Sequence, residues 1–462
     1  MLFNSLHFLI FFPIVTLLYY LLKQKYRWIL LFIASTYFYS AFFLPYILIL
    51  YFIIIIDYVC GILIENSKNK TKLFWLLYSI ISNIGLLFYF KYYNFFIDVF
   101  VEYLPNVKHL DIILPIGLSF HTFQSLSYTI EVYKGKQKAE KHIGYFANYV
   151  LFFPQMVAGP IERYDCLGKE LRSKHVFNFK NISNGLRLIL YGLFVKMCIA
   201  DNLAPLVNEF YSNPTQYYSS SAWIALIAFS IQIYADFYGY STIAVGAARL
   251  LGINLMDNFN QPYFATSFYQ FWQRWHISLT TWFRNYVFFP MGGSYVNAFR
   301  WIINVLLVFA LSGFWHGANY TFIIWGFLHG LFYLIEKGFS NFIPVFIAKN
   351  KIFLTFGAIA TFTLVTFIWV FFRAENFDKA LLVIKQCYTY TFEAKKDLLI
   401  NIQTITMLAV FIVFEIVIYK SRFDLFFQNQ KTVIRWFVYI ILAFCLLLFS
   451  GIQSYQFIYF QF

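Results

Sequence analysis

Long apolar runs separated by short polar loops fill this chain from end to end. A helix needs about 20 apolar residues to cross a bilayer, fewer where the membrane thins. Runs of that kind occupy residues 8–22, 28–43, 45–64, 73–97, 112–132, 182–200, 221–248, 299–315, 318–335, 352–372, 402–419 and 433–451. Two further stretches, 143–162 and 262–292, are apolar but broken by Pro, Gly and charges; lipid tolerates such backbone only where protein covers it. The pattern predicts an all-α polytopic membrane protein with about 11–13 transmembrane helices plus re-entrant or interfacial helices, read as a single domain over 1–462. The first run, Phe8 to Leu22, has no basic residue before it and no small-residue cleavage site after it. It is expected to be a retained membrane helix rather than a signal peptide.

Loop charges orient the spans. The loops near Lys23–Arg27, Lys68–Lys72, Lys134–Lys141, Arg163–Lys180 and Lys420–Arg435 are rich in Lys and Arg. By contrast, 201–220 carries Asp201 and Glu209 with no basic residue, and 98–111 carries Asp98, Glu102 and Asp111 against Lys108 alone. This alternation puts the basic loops in the cytoplasm and both termini outside. Charged residues make up 12% of the chain and hydrophobic ones 61%, half the charge a water-exposed surface needs. A soluble enzyme, a disordered chain and a nucleic-acid-binding domain are thereby excluded. The net charge of +14 follows from the cytoplasmic bias of Lys and Arg beside anionic headgroups. Cys60, Cys166, Cys198, Cys387 and Cys445 are scattered, odd in number and without a CxxC pair, so neither a disulfide framework nor a metal site is expected.

Ionisable residues at membrane depth cost about 2.5–3.5 kcal/mol each on insertion scales and ask for a reason. The candidates are Asp57, Asp236, Glu415, His121, His276, His316 and His329. His316 lies in Leu311-Ser-Gly-Phe-Trp-His-Gly-Ala-Asn-Tyr320, between two runs each barely one span long. The segment reads as a helix break presenting the imidazole into a protein cavity, with Trp315 and Asn319 in its lining. An imidazole suits proton abstraction from a hydroxyl at neutral pH; the alternative is a polar residue that satisfies a broken backbone. Around His276, a turn of about 100° per residue puts Phe268, Trp272, Trp275, Leu279, Trp282 and Tyr286 on one face and Gln270, Gln273, Arg274, Thr281, Arg284 and Asn285 opposite. This predicts one interfacial amphipathic helix with Trp at headgroup depth. The residues alone favour a membrane anchor with a satisfied His276, while Arg274 and Arg284 suit an anionic substrate such as a coenzyme A phosphate. His329, 13 residues beyond His316, falls on the opposite side of any continuous helix and is expected to form structural hydrogen bonds. His121 is expected to line or pack a Pro/Gly-distorted helix. Asp236 is expected either to line the same cavity or to bond Ser or Tyr. Asp57 and Glu415 receive no role. There is no GxSxG elbow, P-loop or HxxxH pair, so the residues support a membrane-embedded histidine site and no more.

Several long segments carry a resemblance: LPIGLSFHTFQSLSYTIEVYKG (114–135), FFPQMVAGPIERY (152–164), YADFYGYSTIAVGAARLLGINLMDNFNQPY (234–263), FWQRWHISLTTWFRNYVFFPMGG (271–293), LSGFWHGANYTFIIWGFLHG (311–330), WVFFRAENF (369–377) and the terminal FIYFQF (457–462). In these, the chain resembles the membrane-bound O-acyltransferase (MBOAT) superfamily, in particular the bacterial branch of alginate and peptidoglycan O-acetyltransferase membrane subunits. The resemblance implies the MBOAT fold, His316 as the catalytic histidine and His276 as a second site residue. It also implies the bacterial inner membrane, acetyl-CoA as a cytoplasmic donor with no covalently bound cofactor, an exported glycan as acceptor and a periplasmic partner of SGNH-hydrolase type. On this reading His316 acts as general base and the amides of the helix break steady the oxyanion, an acyl-histidine intermediate being the open alternative. Heavy use of Phe, Ile, Tyr, Lys and Asn suggests an AT-rich genome and tilts the acceptor to peptidoglycan, ahead of alginate or another exopolysaccharide and of teichoic-acid D-alanylation. A transporter or flippase and a scaffold are the rivals from other classes. One departure is Ser294-Tyr295-Val296-Asn297, where the family often has Asn and basic residues; it bears on the local cytoplasmic surface.

Overall fold

The computed structural model describes the chain except residues 104–106, 158, 341, 343, 345, 346, 348, 349, 391–394, 451–454, 456, 461 and 462. The end of the last expected span, part of 373–401, Ala158 of the 152–164 match and the final Gln461-Phe462 therefore lie outside the described residues. The named elements are all helices, and one isolated bridge joins Tyr217 to Lys396. Among the described residues, eight helices are long and apolar enough to cross a membrane: Tyr46–Asn66, Asn69–Val99, Phe179–Ser212, Ser219–Leu250, Ala298–His316, Tyr320–Ser340, Lys351–Arg373 and Thr432–Phe449. Leu6–Leu21 and Ile402–Val417 are shorter apolar helices. The protein is a multi-pass, all-α membrane protein. Its outward surfaces agree: the Thr432–Phe449 helix buries Leu442 and Cys445, while Val433 and Leu447 are 81% and 82% exposed, a face that hydrocarbon solvates and water would not.

The expected span 112–132 takes a different form. Gly117 adopts φ 72°, and the helix begins only at Leu118, running to Tyr133. Its buried set includes Ser119, His121, Thr122, Gln124, Ser125 and Thr129. Polar side chains of that density need protein partners, which places this helix inside the protein rather than against lipid.

The chain forms two compact units, residues 1–189 with 240–257, and residues 190–239 with 258–462. In the first, Asp57 is buried and accepts hydrogen bonds from Ser79 Oγ (2.6 Å), Asn83 Nδ2 (2.9 Å) and Ser125 Oγ (2.5 Å). This staples three helices by satisfying a carboxylate that would be costly alone. Between the helices, Glu140 takes Arg172 and the Tyr164 hydroxyl. Burial works against the Glu140 carboxylate, but these bonds outweigh it and hold its pKa below the ordinary glutamate value. A depressed carboxylate stabilises the fold above its unfolded pKa of about 4.3 and loses that contribution as pH falls through the lower folded value. Glu140→Gln is therefore expected to lower the thermal midpoint in detergent at neutral pH, with the difference from the parent vanishing on acidification.

In the second unit, the Ala298–His316 and Tyr320–Ser340 helices pack as a hairpin. Gly313 and Gly326 make the approach: a Cβ on Gly313 would strike the Phe322 carbonyl and one on Gly326 the Phe309 carbonyl. Backbone cannot yield as a side-chain tip can. Gly326→Leu is expected to destabilise the protein by about 3 kcal/mol or more, read as loss of monodisperse protein in detergent.

Candidate active site

The hairpin places His316 as the last residue of its helix, and Gly317 follows in extended conformation with φ −158° and ψ 146°. A Cβ on Gly317 would run into the Phe322 ring, so the turn needs glycine there. Asn319 restarts the chain: its Oδ1 accepts from Thr321 N (3.0 Å) and its Nδ2 donates to Glu375 O (2.8 Å). The expected helix break is thus present, and Asn319 serves it as a cap. The Gly317 amide is already committed to Gly313 O at 3.4 Å, so it is not one of the expected oxyanion donors.

The single amphipathic helix expected around His276 is instead two, Phe268–Arg274 and Ile277–Phe283. His276 sits between them with φ 41° and ψ 56°, in the left-handed region that non-glycine residues seldom occupy. Asn258 and Asn260 hold the break. Asn260 N donates to Arg274 O (3.0 Å) and Ile277 N to Asn258 O (2.9 Å), while Ser278 Oγ donates to Asn258 Oδ1 (2.6 Å). Periodicity could not show this, because the partners are 14 to 20 residues away. The apolar face survives the break, but Trp272, Trp275 and Trp282 are buried within the protein rather than at a headgroup surface. Strained backbone of this kind persists where surroundings over-determine it, and it clusters at functional sites.

The two breaks bring the histidines together. The ring centroids of His276 and His316 are 6.3 Å apart, and Trp315 contacts both, at 6.3 and 5.0 Å. A third ring completes the group: Tyr459 lies 5.4 Å from His316 and 6.4 Å from His276. Phe237 backs Tyr459 and His276, at 4.6 and 4.7 Å, and Phe372 and Trp325 close on His316 at 5.3 and 5.2 Å. The Tyr459 hydroxyl is enclosed and has no hydrogen-bond partner among the described residues.

This differs from the cavity expected around His316. The ring is 4% exposed, and the space around it is filled by aromatic rings, Tyr459 among them. Asp236 also departs from expectation: its partner is not Ser or Tyr but Lys196, at 2.5 Å, and its Oδ2 accepts Ile458 N at 2.6 Å. His329 makes no hydrogen bond among the described residues. It packs instead against Trp272 and Trp325, both at 5.0 Å, which corrects the hydrogen-bonding role expected for it. His121 belongs to the first unit, where it bonds Val150 O at 2.9 Å. Arg284 is exposed on the rim of a cavity of about 260 Å³, lined also by Trp272, Gln273, Phe288, Phe309 and Ser312. Arg274 is not in that lining.

Two participants escaped the sequence reading. Tyr459 lies in the terminal FIYFQF run, whose aromatic density after the last apolar span was the available signal. Lys196 lies inside the apolar run 182–200 and met the same membrane-depth criterion as the residues singled out.

The family model for the membrane-bound O-acyltransferase family matches residues 141–374, half of the chain, and both histidines fall inside the match. The chain belongs to the membrane-bound O-acyltransferase family. Relatives support the same placement across more of its length. It is 36% identical to the "Probable alginate O-acetylase AlgI" of Pseudomonas aeruginosa, over 84% of this chain and 75% of that protein. To the "Peptidoglycan O-acetyltransferase" of Helicobacter pylori it is 33% identical, over 83% and 79%. To the "Teichoic acid D-alanyltransferase" of Bacillus subtilis it is 25% identical, over 59% and 72%. This MBOAT protein is thus an acyltransferase, and the all-helical, multi-pass fold accords with that family.

Proposed function

We propose that the protein moves an acetyl group from cytoplasmic acetyl-CoA, through the bacterial inner membrane, to an exported cell-envelope glycan. The observation that carries this reading is the packing of the His276 and His316 rings around the Tyr459 ring, whose hydroxyl is enclosed. His316 removes the Tyr459 proton as the phenolic oxygen attacks the thioester carbonyl. The C–S bond breaks, and the departing thiolate takes the proton back from the imidazolium. The products are free thiol and a tyrosyl ester, which then passes its acyl group to a hydroxyl outside, on the glycan or on a periplasmic partner of SGNH-hydrolase type. His276 serves beside it as a hydrogen-bonding group at the same ring cluster.

On this reading the cavity of about 260 Å³ takes the thioester arm of the donor and leaves its nucleotide outside. Ser312 of its lining is one helical turn before His316, and Trp272 touches Trp325, which touches His316. An apolar cleft with Arg284 at its rim suits a thin thioester arm ending in phosphate. Arg284→Ala is expected to raise KM for acetyl-CoA about tenfold with kcat little changed, the loss of one charge-assisted hydrogen bond. An unchanged KM would remove Arg284 from the donor site. The basic loops support a cytoplasmic donor side and periplasmic termini.

Composition favours peptidoglycan as the acceptor, through the AT-rich residue usage. Alginate or another exopolysaccharide is the second reading, favoured by 35–36% identity to relatives named alginate O-acetylases. Mass analysis of wall glycans with and without the gene tests the choice. Loss of O-acetylated muropeptides is expected; unchanged muropeptides with a deacetylated exopolysaccharide would give the second reading.

A further inference from the structure

Lys196, Asp201 and Asp236 form a buried cluster that chemistry at the histidines does not use. Lys196 Nζ lies 2.7 Å from Asp201 Oδ1 and 2.5 Å from Asp236 Oδ1, and all three side chains are under 5% exposed. Local backbone builds the cluster. Phe194–Ala200 is a π-helical stretch, a feature that re-aims side chains and recurs at functional sites. A Cβ on Gly239 would come within 2.9 Å of Gly192 O and Lys196 N, so glycine there lets the two helices close enough for Asp236, one turn earlier, to reach the ammonium.

One ammonium facing two carboxyl groups leaves oxygens in need of another donor, since a buried charge is tolerated only when paired and hydrogen-bonded. The C-terminal segment supplies it. Ile458 N donates to Asp236 Oδ2 at 2.6 Å, and Lys196 Nζ donates to Tyr455 O at 3.2 Å. Both polarities of that backbone are therefore held by the cluster. The residue next after Ile458 is Tyr459. A cavity of about 20 Å³, lined by Lys196, Asp201, Gln232, Asp236, Arg373 and Tyr455, adjoins the junction.

We propose that Lys196, Asp201 and Asp236 clamp the C-terminal segment and act as positioning residues that hold the Tyr459 ring beside His316. The function of the clamp rests on the reading of Tyr459 as the acyl acceptor; its existence does not. Without the Ile458 bond, the aromatic contacts alone fix neither the depth nor the rotation of the tail. The cluster sets both, because two directional bonds to backbone admit one register.

Carboxypeptidase digestion of the full-length protein in native membranes reads the tail directly, and acetyl-CoA turnover reads the chemistry. Asp236→Leu is expected to expose the C-terminus to rapid digestion and to lower kcat about 10²-fold, with KM for acetyl-CoA unchanged. Asp236→Glu should restore protection and part of the turnover, which a merely structural residue would not require. His316→Ala should lower turnover about 10²–10⁴-fold with the tail still protected, separating the clamp from the chemistry. Should Asp236→Leu fail to yield folded protein, Lys196→Met/Asp201→Leu/Asp236→Leu removes all three charges and gives the same two readouts. A tail that stays protected in these variants overturns the clamp, and a released tail with parental turnover overturns its positioning role. If Tyr459→Phe turned over normally while Asp236→Leu still released the tail, the acceptor reading would fall and the clamp would stand as a docking device.

Discussion

Replacing His316 with alanine is expected to lower acetyl transfer about 10²–10⁴-fold, the range that a positioned general base supplies, while the protein stays folded. The expectation follows from its place. His316 ends the Ala298–His316 helix at a break that glycine at 317 permits, beside the enclosed Tyr459 hydroxyl. Because the side chain is ringed by Trp315, Trp325, Phe372 and Tyr459, alanine leaves a void, and stability must be measured alongside activity. His316→Gln fills more of that volume and gives the cleaner comparison. Both variants should elute monodisperse from detergent gel filtration and bind acetyl-CoA with parental affinity. Parental turnover by either one would end the assignment.

Tyr459→Phe should cost as much. The substitution keeps every ring contact of the tail, including Phe237 at 4.6 Å and Phe457 at 5.4 Å, and removes only the oxygen. If that oxygen takes the acyl group, radiolabelled acetyl-CoA should mark the C-terminal peptide of the parent and leave the variant unlabelled, with glycan acetylation falling to background. His316→Ala should also lose the label, since the phenol then has no base. A labelled C-terminal peptide in Tyr459→Phe would place the acyl group elsewhere, and a labelled His316 in the parent would give the acyl-histidine route instead. The two variants together separate base from acceptor, because only the first leaves an intact hydroxyl in the site.

The cavity expected at His316 is instead filled by aromatic rings, Tyr459 among them. On the proposed route, excluding water in this way suits a thioester, which free water would hydrolyse, and the cavity that Ser312 lines would be the approach for the acyl group.

Much of this protein was legible in one dimension. Apolar runs of span length, basic loops and a charged fraction of 12% determine a helical, multi-pass membrane protein, because lipid leaves the backbone few other ways to satisfy its hydrogen bonds. The glycine-flanked Trp-His pair marked the break at 316, since that signal is local. Only the tertiary structure decided what meets there. The break at His276 depends on Asn258 and Asn260, the pairing of Asp236 on Lys196, and the ring cluster at His316 on Tyr459, far along the chain. Contacts of that separation leave no periodicity in the chain, for each is set by how helices pack and not by the residues adjoining it.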